Sequence, residues 1–161
     1  MTELDEYSAA KAPTAKLVSH ILSRYHETHR RELPELIALA RKVETSHATD
    51  PNTPHGLTQT LEAMIADLDA HMRREEADLF AAIKAGSVSA DGSIASLRND
   101  HDGHEATVNR IAAITHGFRL PDYACRAWAR LYAGLGKLVE DLDEHRYLEE
   151  RVLFPRLEAG Q

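Results

Sequence analysis

Ten histidines against a single cysteine are the chemically loaded feature of this 161-residue chain. Two of them are followed by a glutamate four residues later: His71 by Glu75, and His145 by Glu149. That spacing sets an imidazole and a carboxylate on one helix face, about one turn apart. Two further pairs, His26-x-x-His29 and His101-x-x-His104, repeat a second spacing. One histidine on an apolar face is ordinarily a hydrogen-bonded core residue. Buried ionisable groups are costly unless paired or metal-bound, and here such groups interrupt four apolar stripes, which a metal-free bundle does not explain. One histidine from each of the four stripes, together with two glutamates, is too many for one tetrahedral zinc. They suit a dinuclear centre in which each carboxylate bridges. Iron, copper, nickel and zinc all accept imidazole, so nitrogen and oxygen ligands alone do not choose between them. Nitrogen-rich ligation with few carboxylates favours a di-iron pair for small-ligand or redox chemistry over an iron store. Six ligands over two six-coordinate metals leave positions for water, oxo, O2 or NO.

Four elements must position these residues. Pro51, Pro54 and Gly56 mark one connection, Gly86 and Asp91-Gly92 a second, Gly117 and Pro121 a third. Between them, segments 15–46, 57–85, 93–116 and 122–158 show the three- and four-residue spacing of helices facing a core. The first stripe runs Leu22, His26, His29, Leu33, Leu36, Ala40, Val43, and the second Leu57, Leu61, Met64, Leu68, His71, Glu75, Leu79. The third runs Ile94, Leu97, His101, His104, Val108, Ile111, and the fourth Trp128, Leu131, Leu135, Leu138, Leu142, His145, Glu149, Val152. An all-α, up-down-up-down four-helix bundle is expected over residues 15–161, preceded by a polar tail over 1–14. Pro34 predicts a kink or restart in the first helix. Residues 67–86 align with 141–160 at 10 identical positions of 20, including both histidines, both Glu-Glu pairs and both Leu-Phe pairs. With His26-x-x-His29 answering His101-x-x-His104, this reads as a duplicated helix pair.

Composition narrows the function classes. A net charge of −7 argues against a general affinity for nucleic acid or anionic membrane, which requires clustered lysine and arginine. No apolar run exceeds about six residues, against the twenty or so of a membrane helix. The polar N-terminus is not a secretory signal, and Cys125 alone can form neither an internal disulfide nor a CxxC site. Both suit a reducing, cytoplasmic setting. Nothing on the exposed helical positions forces a dimer, so a monomer or weak dimer is expected.

The residues resemble hemerythrin-like (HHE) domains and, more closely, the di-iron domain of the repair-of-iron-centres (RIC) family, over about residues 17–160. The resemblance rests on His20-Ile21-Leu22, Arg24-Tyr25-His26, Leu33-Pro34-Glu35-Leu36, Lys42-Val43-Glu44 with His47, His71-Met72, Glu75-Glu76 and Asp100-His101-Asp102. Cys125, Trp128, His145, Glu149 and Val152-Leu153-Phe154-Pro155 complete it. It implies a cytoplasmic non-haem di-iron protein of nitrosative and oxidative stress that repairs iron–sulfur clusters by donating iron. Two irons, oxo- or hydroxo-bridged, would be held by His26 with His71 and by His101 with His145, with Glu75 and Glu149 bridging. Implied partners are NO or O2 and damaged iron–sulfur proteins. A hemerythrin-like O2 or NO sensor or carrier, and an NO-reducing di-iron enzyme, are the alternatives. Oxygen-carrying hemerythrins have a histidine where this chain has Glu105, which makes reversible O2 carriage the weaker expectation. RIC proteins usually carry a small N-terminal domain with a Cys-Cys pair, and residues 1–14 hold no cysteine.

The other histidines have blander expectations. His47 falls about 30 Å along a continuous helix from His26, near the far loop, as a surface or cap residue. His29 and His104 pack toward the bundle edge or hydrogen-bond a ligand carboxylate. His20, His55 and His116 are expected to be exposed. Glu76 and Glu150 fall off the stripe, solvated or orienting a ligand, and Asp100 gates access or lies at the surface. Cys125 and Trp128 are expected as core filler and bundle cap, and Tyr25 as a ring packed near the site. Gly134 and Gly136 favour close helix contact over a ligand route.

Overall fold

The computed structural model describes residues 5–84 and 92–159, and among them every regular element is helical. Gly86, Asp91 and Gly160, and residues 1–4 of the expected tail, lie outside the described residues. We number the helices α1 (Glu6–Lys11), α2 (14–46), α3 (57–84), α4 (Gly92–Ile114) and α5 (126–158). Three of them contain an embedded π-helical turn: Ile21–His26 in α2, Glu75–Phe80 in α3 and Leu148–Leu153 in α5.

Cross-helix pairs fix the directions. Arg41 meets Glu62 and Arg30 meets Glu76, so α2 and α3 run antiparallel. Arg24 on Asp141 and Lys137 on Glu32 do the same for α2 and α5. Arg98 on Glu158 and Arg146 on Glu105 do so for α4 and α5. This is consistent with the expected four-helix bundle. Two differences stand out. Within the expected tail, Glu6–Lys11 is helical, capped by Asp5 accepting from Ser8 N. It is held because Ala9 is fully buried and Arg156 donates to the carbonyls of Ala10 and Ala12. Glu27–Ser46 also continues through Pro34 without restarting. Pro34 is on the exposed side, where water can take the carbonyl that it leaves unpaired.

The core forms two apolar clusters. One gathers Leu33, Leu36, Val43, Leu57, Leu61, Trp128, Leu131 and Leu135 toward the 47–56 connection. The other gathers Leu17, Ile21, Tyr25, Phe80, Leu97, Leu148, Phe154 and Leu157 at the opposite end. Each fully buried Leu, Ile or Phe contributes about 1.5–3 kcal/mol relative to leaving it exposed. The histidine–glutamate layer lies between these clusters. Gly134 lets α5 approach α2: a Cβ there would meet Leu36 Cδ2 at 2.6 Å, whereas one at Gly136 would meet nothing within 4 Å. The expected contact role therefore belongs to Gly134 alone.

Candidate metal centre

All six singled-out residues are buried: His26, Glu75 and Glu149 completely, His71 to 1% exposure, His145 to 3% and His101 to 5%. Their ligand atoms form two groups, each within 4.8 Å. His26, Glu75, His145 and Glu149 make one, and His71, His101 and Glu149 the other. Glu149 spans both, with Oε1 2.9 Å from His101 Nε2 and Oε2 3.0 Å from His145 Nε2. Glu75 Oε1 lies 3.3 Å from His26 Nε2 and 3.2 Å from His71 Nε2. The pairing differs from the one that the resemblance implies: His26 is grouped with His145, and His71 with His101. Two contacts accompany this grouping: Tyr25 of α2 stacks on His145 at 5.2 Å, and Asp100 of α4 reaches His71.

The inward atoms fit cations. His26 Nε2, His71 Nε2, both Glu75 oxygens and Glu149 Oε1 are buried without a hydrogen-bond partner. Polar atoms in that state are costly, and in one pocket they are all electron-pair donors. Protons partly compensate. Burial and the neighbouring Glu149 carboxylate raise the Glu75 pKa. Burial also pushes Glu149 upward, but the facing His145 and His101 imidazoles hold it well below the usual carboxylate range. Burial opposes a charge on His71, yet the adjacent Glu149 and Glu75 carboxylates raise its pKa to about 9. His26, desolvated and facing His145, falls to about 4.

Behind the ligands stands a set of residues that the stripes did not separate from solvated ones. His26 Nδ1 donates to Glu76 Oε2 at 2.7 Å, His71 Nδ1 to Asp100 Oδ2 at 2.9 Å, and His101 Nδ1 to Glu150 Oε1 at 2.8 Å. Each carboxylate also meets an arginine. Arg30 grips Glu76 through two bonds, at 2.7 and 2.9 Å, Arg74 pairs with Asp100, and Arg146 Nε lies 3.2 Å from Glu150. Fixing the Nδ1 proton on a carboxylate leaves the Nε2 lone pair pointing inward, the arrangement that metal-bound histidines use. The legible signal was adjacency: Glu75-Glu76, Glu149-Glu150 and Asp100-His101. Phe80 stacks on His26 at 5.7 Å and Phe154 on His101 at 6.1 Å, which accounts for the repeated Leu-Phe pairs.

The remaining histidines divide. His29 is fully buried and meets His145 rather than a carboxylate, with Nε2 3.3 Å from His145 Nδ1. Burial beside His145 and His26 lowers its pKa to about 2. His104 is half-buried, 5.0 Å from the His71 ring, and burial lowers it to about 3. It borders a cavity of about 90 Å³ beside His71, His101 and His145, whose walls include Leu68, Val108 and Leu142. Glu105 turns outward onto Arg146. His47 ends α2 at the far loop, 5.0 Å from the Trp128 ring. His55 and His116 are exposed, but His20 is buried at 6%, edge-on to Tyr25. Its place in the turn before the π segment faces it inward. Trp128 is fully buried as expected, whereas Cys125 is exposed at the N-cap of α5, because the chain is still extended there.

The family described as Hemerythrin HHE cation binding domain matches residues 17–158. Proteins named iron-sulfur cluster repair protein YtfE from Salmonella paratyphi B, Salmonella newport and Salmonella gallinarum are each 43% identical to the chain over 150 residues. The match covers 92% of this chain and 68% of each relative.

Proposed function

The chain belongs to the hemerythrin HHE cation binding domain family, and from that premise we propose that it is a non-haem di-iron protein that repairs iron–sulfur clusters by donating iron. One observation carries the reading: a buried layer of four imidazoles and two carboxylates in which His26 Nε2, His71 Nε2, both Glu75 oxygens and Glu149 Oε1 have no hydrogen-bond partner. The names of its relatives supply the acceptor class, damaged iron–sulfur clusters. The frame of the site is an up-down-up-down bundle derived from a duplicated helix pair.

In this reading His26 and His145 would hold one iron and His71 and His101 the other, with Glu75 and Glu149 placed to serve both. Bound iron supplies redox change and coordination positions open to small ligands such as NO or O2. The protein's own part is electrostatic and positional. Glu76, Asp100 and Glu150 hold the Nδ1 protons of three ligands outward. Burial and the facing Glu149 carboxylate favour the protonated form of Glu75, a proton that an entering cation would displace to solvent. Phe80, Phe154 and Tyr25 keep water from the ring faces.

Metal analysis of protein from an iron-replete host tests the centre, with two irons per chain expected. Much less iron, with zinc in its place, overturns it. Incubating the iron-loaded protein with an apo iron–sulfur acceptor tests donation, with cluster assembly expected above free-iron controls. The cavity beside His71, His101 and His104 favours a second reading, a reversible O2 or NO binder. Absence of iron transfer, together with a stable adduct, selects that reading. N2O in the gas phase after the reduced protein meets NO would instead indicate NO reduction.

A further inference from the structure

Three of the four imidazoles at the centre are backed alike, and the fourth is not. Behind His26, His71 and His101 stand Glu76, Asp100 and Glu150, each joined to an arginine. Behind His145 stands His29, an imidazole with Nε2 3.3 Å from His145 Nδ1 and ring centroids 5.4 Å apart. The contrast lies in adjacent residues. Asp100, which precedes His101, turns to His71, whereas Tyr25, which precedes His26, lays its ring on His145. An imidazole accepting from His145 orients it as a carboxylate would, but places no negative charge behind the ligand. Carboxylate backing raises the basicity of a metal-bound histidine, and losing such a partner typically weakens metal affinity about 10–100-fold.

We propose that His29 is the positioning residue of His145, and that an imidazole in place of a carboxylate behind His145 makes the metal position of His26 and His145 the weaker of the two. That position has one carboxylate behind its imidazoles, Glu76, and Arg30 holds this one through two bonds. The position of His71 and His101 has two, Asp100 and Glu150. The bridging glutamates are common to both, so the difference rests on the backing residues. This rests on the di-iron reading and deepens it: a donor with one loosely and one firmly held iron can surrender the first while the second keeps the layer assembled.

The test is release kinetics of the iron-loaded full chain, anaerobic, into an excess of a coloured ferrous chelator. Two phases of one iron each are expected, separated about tenfold or more. His29→Leu accelerates the fast phase about tenfold and leaves the slow one. His29→Gln, which keeps a neutral acceptor, stays near the parent rate. Glu150→Gln accelerates the slow phase. A single phase releasing both irons overturns the proposal, as does His29→Leu acting equally on both phases. If His29→Leu lowers the helical circular dichroism, the Glu150→Gln protein decides, and acceleration of its fast phase alone overturns the proposal. A chain that retains no iron fails differently, since that result sinks the di-iron reading itself.

Discussion

At the scale of single residues, the bridging glutamates dominate. Each faces histidines of both groups, so removing one disturbs both metals, while His29 and His104 touch ligands from outside. Glu75→Ala and Glu149→Ala are therefore expected to lose both metals, and His29→Ala and His104→Ala to retain at least one. Metal analysis after desalting checks this, and equal loss across the four contradicts the assignment. The same residues set a pH dependence. His71 is raised to about 9, so it holds a proton at neutral pH that an entering cation must displace. Apparent metal affinity should rise with pH from 6 toward 9, with protons released on loading. Titration of the metal-free protein at fixed pH values measures both, and affinity independent of pH would count against the raised His71.

At the scale of elements, helix ends and helix contacts carry the predictions. Glu44 of α2 caps the start of α3, accepting from Gly56 N at 2.7 Å, Thr58 N at 2.9 Å and the Thr58 hydroxyl. Burial would raise its pKa, but the Thr58 and Gly56 bonds prevail and lower it. A depressed folded-state pKa means stability present above the unfolded value near 4.5 and lost as pH falls through the folded one. Glu44→Gln should cost about 1 kcal/mol at pH 7 and flatten the acid limb of the stability curve, read by urea unfolding at several pH values. Gly136→Ala should stabilise by roughly 0.5–1 kcal/mol, because a helical glycine is replaced in open space. Gly134→Ala should gain less, since Leu36 must move, and thermal midpoints order the two.

At the scale of the whole molecule, the polar layer divides the core. The cluster around Leu61, Trp128 and Leu135 is continuous without it, whereas that of Leu17, Phe80, Leu148 and Phe154 closes around the π-helical turns that present the ligands. Metal binding to the folded state alone adds about 2.7 kcal/mol at a hundred times the dissociation constant. Chelation should therefore lower the thermal midpoint. It should also speed hydrogen exchange in 14–26, 75–84 and 148–158 more than in 33–43, 57–68 and 128–138. Uniform exchange changes along the helices would show that the layer does not stabilise one end selectively.

Periodicity alone disclosed the helices, the apolar faces and the histidines and glutamates that interrupt them, because a side chain's face follows from its position modulo about 3.6 residues, and the resemblance picked out six of these. Family resemblance supplied the kind of metal. Off the stripe, the sequence was ambiguous: Glu76, Asp100 and Glu150 read equally as solvated charges, and only the neighbouring helix decides whether an imidazole reaches them. The arginine partners, the burial of His20 and the exposure of Cys125 were equally illegible. Which imidazoles share a position, and which of them lacks a carboxylate behind it, is a matter of the distances between helices. One-dimensional spacing fixes neither, so tertiary packing alone set His26 beside His145 and gave His145 a histidine for its support.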